Sequence, residues 1–554
     1  MDRKLWLSII AVMIGAGLLV AAATAAPTKT QSSTAASASQ AKKGGTFVVE
    51  FSTDVDYTDP ALDYLSTGWE MMYATACKLF NYPDKDSPAG SQLVPEVAAG
   101  QPVVSKDGKS YTFKLKSTYK FSDGTKVTAQ SFVDAFNRNA NPKLQSPSTP
   151  FMDVIAGSQA VIDGKASTIS GLKATNATTL VVSLTRPAPD LLSRLAMPFF
   201  QAIPKSLATN YDPNGVLTYS SCGPYYFSAR TPNKSITLKR NPNYKGGRPA
   251  NVDTIQVNIG NSLEVIQQNT DSGKTDYAAG GVPPAAYAQL AQKYGVNKGR
   301  LFVKPQLGTS YLAFNHDRPL FKNNPGLKKA VNWAIDRQAL LQQGGFLAGK
   351  RNDQVLPPGL PGVTDVKIYP NSQSAATIAQ AKKLANGNLR DAKAILWTSN
   401  RGAAPLQAQI FQYNLKQIGI DVSVQLFARA VQIEKEGTRG AEFDMTTEGW
   451  IADYADPYDF INILLDGGNI KDANNNNVAY FNSAKYNKAM NDASKLSGDA
   501  RYKAYQALDV DMMKNDPPWA VRNNFNDRIF VSARTDCFTY NPVFSFDYAA
   551  VCLK

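Results

Sequence analysis

Between Gly449 and Phe460 the chain reads Gly-Trp-Ile-Ala-Asp-Tyr-Ala-Asp-Pro-Tyr-Asp-Phe, which sets three carboxylates (Asp453, Asp456, Asp459) among three large aromatics (Trp450, Tyr454, Tyr458). A carboxylate framed by aromatic rings suits the ammonium end of a ligand, through a charge-assisted hydrogen bond and cation–π contact. The run Phe443–Thr447 reads as a short strand, and Pro457 ends any ladder because it has no N–H to donate. The segment is therefore expected where a strand exits into a loop, a place where binding groups are held on a rigid scaffold. Taken alone, the same residues also read as a solvated acidic turn after a core strand.

Other chemistries lack their residues. The single histidine, His316, stands in Phe314-Asn315-His316-Asp317, and no Gly-x-Ser-x-Gly elbow surrounds any serine. That context reads as a polar surface group and not as a catalytic base. Paired Cys or His at zinc spacing are absent, and Gly280-Gly281 and Gly344-Gly345 are isolated pairs, not phosphate loops. The three aspartates lack the alternating oxygens and the bidentate Glu of a calcium loop. No metal and no cofactor is expected.

The elements that must position the acidic segment follow from periodicity. Thr46–Phe51 reads as a strand and Trp69–Phe80 as a helix. Asp107-Gly108-Lys109 is a turn before the alternating strand Tyr111–Leu115, Thr128 caps a helix over 129–138, and Thr179–Leu184 is a strand, so that 83–210 forms a small α+β unit. Further on, Asn251–Ile259 and Tyr311–Phe314 are strands and Asn323–Phe346 is helical in pattern, with an Asn cap before Pro325. Helix 375–384, strand 394–398, helix 405–418 and strand 420–427 alternate, which argues for a mostly parallel α/β lobe. Helices over 485–496 and 500–514 follow, and Val521–Val531 returns to the first lobe.

At 554 residues with 43% hydrophobic content the chain is a multi-domain globular protein. Its net charge of +14 raises a nucleic-acid or membrane-surface reading. Lys and Arg are scattered without a long basic run, which argues against nucleic acid. Arg3 and Lys4 precede the apolar run Leu5–Ala23 and the small residues Ala23-Thr24-Ala25-Ala26, the pattern of an export signal cleaved near Ala25 or Ala26. The same run is long enough to stay as an anchor. A Ser/Thr/Ala/Gln-rich tether is expected over 27–43. Four cysteines in an exported chain suggest two disulfides with three pairings open. Cys537 and Cys552 look like one local loop, which leaves Cys77 with Cys222.

Several short patches then fall in one order. Leu93–Ala98, Asp107-Gly108, Tyr111–Leu115, Lys120-Phe121-Ser122-Asp123-Gly124 and Thr128-Ala129 come first. They are followed by Cys222-Gly223-Pro224-Tyr225, Arg240–Tyr244 with Gly247-Arg248-Pro249, Ser272–Asp276, Phe314-Asn315, Ala330–Arg337, Pro357-Pro358-Gly359 and the Gly449–Pro457 run. Together, from Gly44 to about Pro518, they resemble the family 5 extracellular solute-binding proteins, the large peptide-type receptors of ABC importers.

The resemblance implies an α/β, two-lobe periplasmic-binding-protein-like fold (type II, large peptide-binding class) with an extra small α+β domain inserted in the first lobe, closing on ligand by hinge motion. The first lobe is expected from 44–82, 211–307 and 521–554, the extra domain from 83–210, and the second lobe from 308–520. By motif position Asp453 pairs with the α-ammonium of a peptide, Trp450 forms a pocket wall, and Arg401, after the Trp397 strand, is the candidate for the ligand's carboxylate. Tyr57, Tyr225 and Tyr454 are further candidate lining residues. The loop around Arg401 is shorter than in dipeptide-type relatives, which leaves ligand length open.

The expectation is a monomeric, non-enzymatic, periplasmic or cell-surface receptor that hands di- to oligopeptides to an ABC permease. The alternatives are the same fold on a sugar, nickel chelate or opine, a secreted hydrolase using two of the loop acids, and a surface protein holding polyanions.

Overall fold

The computed structural model describes residues 43–390 and 393–554. The expected export signal, and the 27–43 tether up to residue 42, lie outside them. Strand β1 (Thr46–Phe51) buries Phe47, Val49 and Phe51, the period of a strand packed on one face. A loop leads to helix α1 (Ser66–Thr75). The helix is shorter than the expected 69–80, because the Thr75 carbonyl accepts the Gly223 N–H at 2.8 Å and Cys77 is tied to Cys222. Strands β2 (Val103–Val104) and β3 (Ser110–Lys114), helix α2 (Ala129–Ala140), and strands β4 (Leu172–Asn176) and β5 (Thr179–Ser183) build an antiparallel sheet in the order β2-β3-β5-β4. This is the small α+β unit.

Strands β6 (Tyr225–Thr231), β7 (Ser235–Arg240) and β8 (Thr254–Ile259), helix α3 (Leu263–Ser272) and strand β9 (Tyr277–Ala278) then rejoin β1 in a sheet of order β9-β1-β8-β7-β6. There β1 runs parallel to β8 and β9. Gly273, at φ 80°, ends α3 in a left-handed conformation that a side chain would oppose.

The long strand β10 (Leu301–Phe314) opens the second half. After it come helix α4 (Pro325–Ala334), strand β11 (Gly349–Arg351), helix α5 (Ala375–Ala385), strand β12 (Lys393–Ser399), helix α6 (Ala404–Lys416), strand β13 (Asp421–Phe427), helix α7 (Arg429–Glu436), strand β14 (Met445–Ile451), helices α8 (Tyr458–Leu465) and α9 (Gly498–Asn515), and strand β15 (Trp519–Phe530). The six strands lie in the order β11-β15-β10-β14-β12-β13. Only the β14-β12-β13 part is parallel; β10 is antiparallel to both β14 and β15. The expected helix over 323–346 is two helices. Asn324 caps the first, and Asp336 caps a second by accepting the Ala339 N–H at 2.9 Å, which breaks the run between them.

One hydrophobic cluster runs from Trp69 and Tyr73 of α1 through Phe113, Phe136 and Phe199 to Tyr311, Tyr454, Phe460 and Trp519. A second fills the five-stranded sheet (Phe47, Val49, Ile255, Val257), and a third lies between the six-stranded sheet and α4, α5 and α6 (Leu312, Leu327, Phe411). Among the described residues no helix is long and apolar enough to cross a membrane.

Cys77 bonds Cys222 across 145 residues, and Cys537 bonds Cys552 across 15. Loop-closure entropy alone assigns about 5 kcal/mol to the first and about 3 kcal/mol to the second. Denaturant titration of the Cys77→Ala/Cys222→Ala and Cys537→Ala/Cys552→Ala double variants is expected to show the larger loss in the first; the reverse order would refute the long-range staple as the dominant tie.

Candidate functional site

Strand β14 includes Gly449, Trp450 and Ile451, which pair with Ser310, Thr309 and Gly308 of β10. The motif therefore begins inside a central strand and not in the loop after it. The expected strand over Phe443–Thr447 thus runs on through Gly449, where a Cβ would meet the Phe525 ring at 2.8 Å. The chain leaves the sheet only at Ala452, and Pro457 stands at the start of α8. Since β12 and β14 are parallel neighbours, Asp453 and Arg401 leave the same edge of the sheet. In open α/β sheets, ligands gather at the carboxyl ends of such strands.

The three aspartates take three different roles. Asp456 is gripped by Arg501 through Nε at 3.1 Å and Nη2 at 2.7 Å, and accepts the Tyr458 N–H at the start of α8. It holds the turn. Asp459 accepts the Asp453 N–H at 2.9 Å and the Trp450 Nε1–H at 3.2 Å through one oxygen, while its other oxygen has no hydrogen-bond partner among the described residues. Asp453 itself is buried, and its carboxyl accepts the Tyr64 hydroxyl at 2.8 Å. Tyr64 comes from the loop before α1, almost four hundred positions away in the chain.

Burial pushes the Asp453 carboxyl up to about 7, with the Tyr64 hydrogen bond opposing the rise. Burial and the neighbouring Asp453 raise Asp459 well above the usual range. The site thus holds acidic groups whose charge needs a partner.

Around this point the 452–458 turn docks on the N-terminal half. The Ala455 N–H donates to the Tyr82 hydroxyl at 3.0 Å, the Tyr454 hydroxyl donates to Asp190 at 3.2 Å, and Arg186 donates to the Tyr458 hydroxyl at 3.3 Å. Arg194 lies 4.9 Å above the Tyr458 ring.

Of the residues singled out from sequence, Asp453 and Trp450 stand together through Asp459. Tyr454 is fully buried and committed to Asp190. Tyr225, the first residue of β6, is fully buried in the five-stranded sheet with its hydroxyl on the Val252 carbonyl at 3.0 Å, a core position in place of the expected lining. Tyr57 is half-buried against Ala61, Leu62 and Leu144, and Arg401 is exposed in the loop before α6. His316 is not a free surface group: Lys328 Nζ lies 2.8 Å from its Nε2, and burial together with that charge depresses it to about 3. Tyr64 was missed because nothing local marks a tyrosine whose partner lies so far along the chain.

A mixed α/β body whose two halves meet over a buried acid at the carboxyl edge of a sheet defines a two-lobe binding protein. The model of the bacterial extracellular solute-binding proteins, family 5 Middle, matches residues 92–472. The chain is 27% identical over 432 residues to the periplasmic oligopeptide-binding protein OppA of Escherichia coli K12, covering 73% of this chain and 76% of that one. It is 26% identical over 439 residues to the probable deoxycholate-binding periplasmic protein YgiS of the same organism, covering 74% and 76%. The solved structure of clavulanic acid biosynthesis oligopeptide binding protein 2 superposes with a TM-score of 0.84 at 23% identity, over 92% of this chain and 96% of the other, and shows the same fold. The chain belongs to the family 5 bacterial extracellular solute-binding proteins.

Carboxyl-resolved NMR titration of the ligand-free protein is expected to give Asp453 a midpoint near 7. Tyr64→Phe removes the donor that favours the charged form and should move that midpoint higher. A midpoint near 4 in either protein would contradict the enclosed geometry.

Proposed function

We propose that this protein captures peptides between two lobes and delivers them to a membrane permease. The observation that carries the reading is the buried Asp453 carboxyl: its backbone is fixed by Asp459, and a hydroxyl donor stands where a ligand's ammonium would donate. An α-ammonium supplies the positive charge the site lacks, and it can displace the Tyr64 hydroxyl donor for donor. Trp450, fixed through its indole N–H, serves as a wall beside the ligand's first residue, and the strand positions before Asp453 offer main-chain groups to an extended peptide. The names of related proteins, OppA among them, support oligopeptides as the ligand class; YgiS supports keeping deoxycholate in the test panel.

In this reading 44–82, 211–307 and 521–554 form the first lobe, 83–210 its inserted domain and 308–520 the second lobe, with β10 and β15 as the crossing strands. The protein acts outside the cytoplasm as a monomer, led there by the 1–26 signal and set off by the 27–43 tether. Arg401, exposed at the same sheet edge as Asp453, is the outer candidate for a carboxylate. The protein is a receptor and not an enzyme.

Calorimetry with matched peptides tests the assignment. Asp453→Asn should weaken peptides with a free N-terminus by roughly 10- to 100-fold and leave N-acetylated peptides unchanged; equal losses would reject the ammonium pairing. The pH dependence has a defined sign. Below about 7 the Asp453 carboxyl is protonated and cannot pair with an ammonium, so affinity should rise with pH up to about 7. Above about 8 the peptide amine deprotonates and affinity should fall. Acetylated peptides should show neither limb.

A further inference from the structure

Five arginines are buried among the described residues. Arg138 is paired bidentately with Asp59, Arg194 with Asp190 and Asp153, and Arg501 with Asp456. Arg337 donates to the carbonyls of Val521, Asn332 and Pro370 and to Asn332 Oδ1. Arg522 differs from all four. Its Nη1 donates to Gln407 Oε1 at 2.7 Å and its Nη2 to Ser310 Oγ, and among the described residues it hydrogen-bonds no carboxylate and no main-chain carbonyl and its Nε–H finds no acceptor. At 6% exposure this is a guanidinium enclosed without a counter-charge. Burial lowers it to about 10 against the pull of Glu448, whose own oxygens are taken up by Arg429.

The backbone places it there by an irregularity. Ser310 of β10 pairs with Asn523 and Tyr311 with Val521, so Arg522 is the extra residue of a β-bulge. Bulges re-aim side chains and recur beside binding sites. The guanidinium is turned against Gln407 in the first turn of α6, a thirteen-residue helix whose N-terminus favours negative charge. Two residues further, Asn524 Oδ1 is likewise buried with no partner among the described residues. Ser310 also pairs with Gly449, four residues before Asp453, which sets Arg522 level with the middle of β14 and short of the edge where Asp453 leaves the sheet. Strand rise and spacing separate the two by on the order of 15 Å, the span of an extended peptide of about three to five residues.

We propose that Arg522, aimed by its bulge at the N-terminus of α6, grips the carboxylate end of the captured peptide. This rests on the peptide reading above. The ligand carboxylate accepts from the free Nε edge, and the uncompensated charge becomes a paired one.

Calorimetry on the full chain with tri- to pentapeptides, each as free acid and as C-terminal amide, tests it. The wild type should prefer the free acids by roughly tenfold or more. Arg522→Gln should bring that ratio to about one, and Arg522→Lys should restore part of it, since lysine keeps the charge without the fork. Without peptide, the thermal midpoint of Arg522→Gln should stay at or above that of the wild type, because an unpaired buried charge is removed. A lowered midpoint with no rescue by lysine assigns a structural role and overturns the proposal. So does an acid preference that survives Arg522→Gln, or one that disappears in Arg401→Gln instead. Peptide binding with no acid preference in the wild type overturns it as well. If no peptide binds the wild type at all, the peptide reading itself fails.

Discussion

A carboxyl group shut away from water is the constraint on which the rest of this structure turns. The cost of ionising Asp453 inside the protein is met only by a cation, a donor or a proton. Tyr64 supplies a donor and no charge, which leaves the group balanced near neutrality. The surrounding residues make that balance sensitive to what enters. Asp459 fixes the Asp453 backbone and the Trp450 indole at once, and the Asp453 carboxyl itself is held by Tyr64. Asp456 is already neutralised by Arg501 and does not compete for a ligand's charge. Three identical side chains at three-residue spacing thus end in three different environments. The turn from 452 to 457 sends each in a different direction.

Bonding within the lobes contrasts with bonding between them. Inside, charges are paired at short range and fully buried: Arg138 with Asp59, and Arg194 with Asp190. Removing one partner of such a pair typically costs about 3–5 kcal/mol. Across the seam the contacts made by Tyr64, Tyr82, Tyr454 and Tyr458 are single hydrogen bonds through phenol hydroxyls. Each is worth on the order of 1 kcal/mol net, because water satisfies the same groups when the seam opens. These bonds come on top of the apolar cluster that runs from Trp69 and Phe199 to Tyr311, Tyr454 and Trp519, so the two halves share a core as well as a polar seam.

Much of the architecture was legible because it is written locally. The helices over 375–385 and 404–416, and the strands on either side of the second, show in their periodicity to within a residue or two. What failed did so where distant residues decide. The run over 323–346 is uniformly helix-compatible, and its break at Ile335-Asp336 shows only once Asp336 is seen capping Ala339. Gly449 argues against a strand until Phe525 is found packed over it. Tyr225 reads as a candidate lining residue, and its burial is set by strands more than ten residues downstream. Arg522 carries no signal in Val521–Phe525, since its orientation depends on how β10 and β15 slip past each other by one residue.

The electrostatics of the second lobe lead one step further. The described residues hold an enclosed acid, Asp453, with no cation hydrogen-bonded to it, and an enclosed guanidinium, Arg522, with no carboxylate hydrogen-bonded to it. The two cannot neutralise each other across β10, because the bulge turns Arg522 toward α6 while Asp453 faces Tyr64. A neutral sugar relieves neither charge. An anion relieves one of them and repels the other, and a simple cation does the converse. Only an extended zwitterion, positive at one end and negative at the other, relieves both at once. The stabilisation then depends on the separation of its charged ends as much as on their presence. On the Arg522 proposal, such a surface would select by length through the main-chain termini and leave the intervening side chains free to vary.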